Sequence, residues 1–178
     1  MVQGSREEKK KKVIEVLNKA RSMELQAIHQ YMNQHYKLAD MDYGELAANI
    51  KLIAIDEMKH AEDFAERIKE LGGEPTTDLA GGVKREQDIK EIFPFNSEQE
   101  EGAIEAYNQF LLICRENGDS ISVKLFERLI DDEQEHLSYF DNIADHIENL
   151  GDAYLARIVG ATADTGGASK GFVNQEDN

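Results

Sequence analysis

The chain has 178 residues, of which 40% are hydrophobic and 31% charged, with two prolines and a formal net charge of −16. That length and composition suit one soluble domain with a full core, and so acidic a chain repels nucleic acid and attracts cations. No apolar run is long enough to span a membrane, no apolar stretch follows the charged start MVQGSREEKKKK as a secretory signal would require, and the single cysteine, Cys114, can form no internal disulfide, so the expected compartment is the cytoplasm.

The first element begins at Ser5, where SREE is a capping-box pattern with Glu8. Val13, Leu17, Ala20, Glu24, Ile28, Tyr31, His35 and Leu38 follow in steps of three and four, which is helical periodicity. The lysine run Lys9–Lys12 pairs with Glu7 and Glu8 at helical spacing and reads as a solvated face. ADMDYGE at 39–45 interrupts the pattern, and Asp42 with Glu45 predicts a second capping box. Leu46, Ile50, Ile53, Glu57, His60, Phe64, Ile68 and Leu71 form the next stripe, stopped by Gly72–Gly73. Residues 72–96, with Pro75, Gly81, Gly82 and Pro94, read as a long connection holding a short helix at 84–92. A third helix is expected near Ser97, with Glu100, Ile104, Tyr107, Leu111 and Cys114 on one face. After the turn RENGDS a fourth runs from about 121 to 150, carrying Leu125, Leu129, Glu133, His136, Phe140 and Ile147. DAYLARIVG reads as a short fifth helix capped by Asp152, and the small, polar stretch from Ala161 as a mobile tail. Short, long and short connections predict an all-α four-helix bundle with one long crossover over residues 1–160, followed by a flexible tail over 161–178.

Two of the five histidines lie three residues after a glutamate: Glu57 with His60, and Glu133 with His136. Each pair has another glutamate 33 residues before it, Glu24 and Glu100, so the set 24/57/60 recurs at 100/133/136, an offset of 76. The midpoints, 40.5 and 116.5, fall inside the two predicted turns. On antiparallel helices each distant glutamate therefore lies level with its Glu-x-x-His partner, about 24 Å from the turn at about 1.5 Å per residue. Because i and i+3 share a helix side, four carboxylates and two imidazoles converge inside the core. Four uncompensated buried carboxylates would be costly. Two divalent cations balance them, and carboxylate with imidazole suits iron or manganese. A Glu on two helices and Glu-x-x-His on the other two is the arrangement of ferritin-like di-iron proteins. Glu98, Glu101 and Glu105 rival Glu100, but only Glu100 continues the stripe and keeps the spacing.

An aspartate precedes each bridging glutamate, Asp56 and Asp132, and either could orient a ligand histidine or face solvent. Tyr31 and Tyr107 read equally as core tyrosines or as hydrogen-bond partners of ligand carboxylates. His29, His35 and His146 read as structural or surface residues, and Cys114 as a small core residue. Met58 is rotated about 100° from Glu57, off the ligand seam.

ELQAIHQY at 24–31, IDEMKHAE at 55–62 and DDEQEHL at 131–137, in this order and spacing, closely resemble bacterioferritins, nearest those of sulfate-reducing bacteria, over about residues 6–175. The resemblance implies an iron-storage ferroxidase built as a hollow 24-mer of dimers, oxidising Fe(II) with O2 or peroxide at a di-iron centre and storing ferric mineral. It implies Glu24, Glu57, His60, Glu100, Glu133 and His136 as the catalytic iron ligands, Glu57 and Glu133 bridging. It also implies a haem-type iron porphyrin, haem b or iron-coproporphyrin, shared by two subunits, with Met58 of each as axial ligand, and a redox partner such as a ferredoxin or rubredoxin. Some members carry a histidine five residues before the first bridging glutamate; here that residue is Leu52. The rivals are a rubrerythrin-like di-iron peroxidase, whose usual four-cysteine domain one cysteine cannot build, a haem-bridged electron-transfer dimer without storage, and a purely structural bundle.

Overall fold

Helix α1 spans Arg6–Asp40 and opens on the capping box read from the sequence: the Glu8 N–H donates to Ser5 Oγ and the Ser5 N–H to Glu8 Oε2. The computed structural model describes residues 5–161 and 171–173, and among them it contains five helices and no strand. Helix α2 (Gly44–Glu70) returns antiparallel to α1; α3 (Ile89–Glu116) and α4 (Ser120–Leu150) form a second hairpin; α5 (Asp152–Ile158) is a short appendix. The hairpins meet through α1 against α3 and α2 against α4.

Three starts differ from expectation. Asp42 adopts the left-handed conformation (φ 65°) to close the α1–α2 turn, so Tyr43 rather than Asp42 occupies the cap of α2, without a side-chain bond. In place of the expected short helix at 84–92 and the expected start near Ser97 there is one helix from Ile89, with 84–88 outside it: Asp88 and Glu91 form a capping box and Pro94 lies inside α3. Pro94 sits in the second turn, where its missing N–H deprives a single carbonyl, so the cap dominates the ring. Gly151, at φ 52°, both ends α4 and caps α5 in place of Asp152.

A buried amide network holds the crossover to α1 and α3. Gln34 Nε2 donates to Gln87 Oε1 (2.9 Å) and Asn96 Oδ1 (2.8 Å), Asn96 Nδ2 donates back to Gln34 Oε1 (2.9 Å), and Gln30 Nε2 donates to Gln87 Oε1 (3.0 Å). At the other end of the chain the Gly160 N–H donates to Asp42 O, and Ala161 pairs with Tyr43. Of the expected tail from 161 onward, only Ala161 and Gly171–Val173 are among the described residues.

The apolar core has two clusters. One gathers Tyr31, Leu38, Ile50, Ile53, Phe93 and Phe140; the other Leu17, Phe64, Tyr107, Phe126 and Leu129. On every long helix the interval between them holds buried glutamates, and on α2 and α4 histidines too: 24 on α1, 57 and 60 on α2, 100 on α3, 133 and 136 on α4. Two hydrophobic plugs thus enclose a polar layer, where weak dielectric screening strengthens electrostatic interactions.

Candidate metal centre

All six sequence-predicted residues are buried and meet in that layer. Glu24, Glu57, His60 and Glu133 bring ligand atoms within 4.8 Å of one another, and so do Glu57, Glu100, Glu133 and His136. The groups share Glu57 and Glu133. His60 Nδ1 lies 3.1 Å from Glu57 Oε2 and 3.2 Å from Glu133 Oε1; His136 Nδ1 lies 3.1 Å from Glu133 Oε2 and 3.3 Å from Glu57 Oε1. The imidazoles stack at 5.9 Å between centroids. Of the glutamates that rival Glu100, all three are exposed.

The arrangement has a pseudo-two-fold that follows the 76-residue offset into the surroundings. Tyr31 donates its hydroxyl to Glu100 Oε1, and Tyr107 to Glu24 Oε1, each reaching across to the other hairpin. The aspartates cross as well: His60 Nε2 faces Asp132 Oδ2 at 3.2 Å, and His136 Nε2 faces Asp56 Oδ2 at 3.6 Å. Each ring thereby turns Nδ1 inward and Nε2 toward a carboxylate, the orientation a ligand histidine needs. Asp56 is therefore buried rather than solvent-facing, Asp132 faces a histidine while staying partly exposed, and neither tyrosine is merely a core residue.

Burial, then the charges of Glu133 and Glu57, pushes the Glu24 carboxyl well above the usual range; burial, then Glu57 and Glu133, does the same to Glu100. Burial also pushes Glu57 and Glu133 upward, but contacts with His136 and His60 outweigh it and hold both below the carboxylate range. Burial works against protonated imidazole, yet Glu133, Asp132 and Glu57 raise His60 well above its ordinary value, and Glu57, Asp56 and Glu133 raise His136. Burial and the adjacent carboxylates Glu100 and Glu24 raise Tyr31 and Tyr107. The surroundings thus favour protonated imidazole at His60 and His136 and the neutral acid at Glu24 and Glu100. Two divalent cations would balance four carboxylates beside two neutral imidazoles.

The donor set fits such cations. Glu57 Oε1 and Glu133 Oε1 are buried without a hydrogen-bond partner, an expensive arrangement unless something else satisfies them. A cavity of about 70 Å³ between α1 and α3, lined in part by Met23, Ala27, Gln99 and Ala103, reaches all four glutamates. The remaining histidines stand apart: His35 Nδ1 binds Ala47 O at 2.8 Å, and His29 and His146 are exposed. Burial in the core pushes the Cys114 thiol up to about 12, which leaves it inert. Met58 is 56% exposed on α2 and points away from the layer. Sequence reasoning missed the contribution of Gly171–Val173, which lies against Asp56, because no periodic pattern connects it to the bundle.

A Ferritin-like domain model matches residues 14–150. The bacterioferritin of Desulfovibrio desulfuricans is 65% identical over 96% of this chain and 95% of its own length, and that of Streptomyces coelicolor 35% identical over 84% and 90%. A crystal structure of the D. desulfuricans bacterioferritin, described with its diiron site in different catalytic states, superposes with a TM-score of 0.92 over 96% of this chain and 99% of that one. Mycobacterium tuberculosis BfrA superposes with a TM-score of 0.78 at 31% identity, over 83% and 93%.

Proposed function

This chain belongs to the bacterioferritin family, and on that premise we propose that it is an iron-storage ferroxidase that oxidises Fe(II) at the buried centre and stores the ferric product inside a shell of 24 identical chains. The observation that carries the reading is the pair of overlapping ligand groups sharing Glu57 and Glu133. Glu57 and Glu133 bridge two iron positions. Glu24 and His60 complete one, Glu100 and His136 the other. Fe(II) is the substrate, and bound there as a pair it supplies two electrons to O2 or peroxide. The four carboxylates favour Fe(III) over Fe(II) by charge, which drives oxidation. Tyr31 and Tyr107 hold Glu100 and Glu24 from the opposite hairpin, and Asp56 and Asp132 hold the imidazoles.

Retention of iron per chain separates storage from its alternatives. Stepwise Fe(II) addition in air, followed by removal of free iron, is expected to leave far more than two irons per chain in soluble form. Saturation near two would refute storage and favour a rubrerythrin-like peroxidase or an electron-transfer dimer.

Met58 fits a second group. The Met58 thioether, 56% exposed on α2, is a soft donor that would hold a haem shared with a second subunit. Haem b or iron-coproporphyrin bound there would carry electrons, received from a ferredoxin or rubredoxin, for mineral release. Met58→Ala is expected to abolish the haem absorbance while Fe(II) oxidation in air persists. Full haem occupancy in that variant would reject Met58 as the ligand. Among the described residues no helix is long and apolar enough to cross a membrane, in keeping with a cytoplasmic role.

A further inference from the structure

The two histidines are held by matched aspartates, but the aspartates live in different surroundings. Asp132 is 23% exposed, and its further neighbour is the surface side chain Arg128, 3.9 Å away. The Asp56 side chain is 3% exposed. What covers it comes from the far end of the chain. The Val173 N–H donates to Asp56 Oδ2 at 3.0 Å, the same oxygen that faces His136. Lys59 Nζ donates to Asp56 Oδ1 at 3.1 Å. Gly171 is buried against the carboxylate, and a Cβ added there would land on it. Phe172 sets its ring edge against His136, 6.4 Å between centroids, and packs on Tyr139 at 5.0 Å.

We infer that Gly171–Val173 is a positioning strap for one of the two iron positions: it fixes Asp56, through Asp56 orients His136, and closes that side of the layer to water. The chain can reach. Ala161 is anchored beside Tyr43 at the start of α2. Asp56 lies thirteen residues further along, about 20 Å at about 1.5 Å per residue. The ten residue steps from 161 to 171 extend to about 33 Å. A backbone N–H donated to Asp56 Oδ2 brings no charge with it, and it fixes the oxygen that faces His136 Nε2 at 3.6 Å. Gly171 is required because only a residue without Cβ lets the backbone approach the carboxylate so closely. Gly171, Phe172 and Val173 touch no ligand atom facing the metal positions; they act through Asp56 and His136.

The inference rests on the two-metal reading, and Co2+ titration of the full chain, followed by visible absorbance, separates the two. The unaltered chain is expected to bind two Co2+. Gly171→Val is expected to leave one as tight as before and to weaken the other about tenfold, the scale of losing a group that orients a ligand. Phe172→Ala weakens the same position less. Asp56→Asn reproduces the effect, and Gly171→Val adds nothing to it, whereas the losses add in full when Gly171→Val is combined with Asp132→Asn. In the metal-free protein the Val173 amide is expected to be protected from hydrogen exchange, and Asp56→Ala to remove that protection. Two Co2+ bound equally tightly before and after Gly171→Val, both weakened alike, or full additivity with Asp56→Asn would overturn the strap and leave the two-metal reading intact. Failure of the unaltered chain to bind two Co2+ would sink the metal reading, and the strap's role with it.

Discussion

Replacing Glu133 with glutamine is expected to slow Fe(II) oxidation by more than 100-fold and to reduce two-site Co2+ binding to one weak site. Glu133 lies within 3.2 Å of both imidazole Nδ1 atoms, and it belongs to both ligand groups. Glutamine keeps its shape and removes its charge. One oxygen would then face two cations with an amide nitrogen beside it, a donor where both positions need an acceptor. Changing a group that only orients a ligand costs about 10–100-fold, so loss of the carboxylate proposed to serve both positions is expected to exceed that range. Glu98→Gln, at an exposed site two residues from Glu100, is the control and should leave the rate unaltered. Stopped-flow oxidation of Fe(II) decides it; an unaltered rate in the Glu133 variant would remove the buried layer as the site of oxidation.

The second large effect concerns pH, and metal reverses its sign. In the metal-free protein His60 and His136 are raised above the ordinary imidazole value of 6.5, so their stabilisation is complete below that value and is lost as pH rises through the folded values. Glu24 and Glu100, raised above 4.5, act in the same direction. Glu57 and Glu133, held low, lose their contribution only in acid. Metal-free protein is therefore expected to melt at progressively lower temperature as pH rises above about 6.5. Cations replace those protons, so Zn2+ affinity rises with pH and protons are released on loading. At one hundred times Kd each site adds about 2.7 kcal/mol. Two sites then raise Tm by about 10–20 °C for a chain of this size. Scanning calorimetry with and without Zn2+ between pH 6 and 8.5 tests this. Parallel pH profiles for the two forms would show that cations do not replace these protons.

How much of this was legible before the fold depended on the range of the interaction. The convergence of the six buried side chains is readable because helix periodicity and equal spacing from two turns encode it, and register alone separates buried Glu100 from exposed Glu98, Glu101 and Glu105. The Tyr31 and Tyr107 pairing obeys the same 76-residue offset, but the partner of each sits across the bundle, where periodicity within one helix says nothing. The start of α3 was misread because proline was weighed as a breaker without the Asp88 and Glu91 cap ahead of it. Asp42 was misread because a capping pattern and a left-handed turn draw on the same residue types. The bond from Val173 to Asp56 spans 117 residues and leaves no local trace. Met58 was placed off the seam by its angle alone, and its exposure agrees.

The offset also means that each helical hairpin encodes half of the layer: one carboxylate, one Glu-x-x-His pair, one tyrosine and one aspartate. A single hairpin paired with a copy of itself would supply the whole set, so gene duplication and fusion are sufficient to produce this architecture. A fused chain, however, has only one C-terminus. It can shelter Asp56 but not Asp132, so two positions that are equal in ligands become unequal in their shielding.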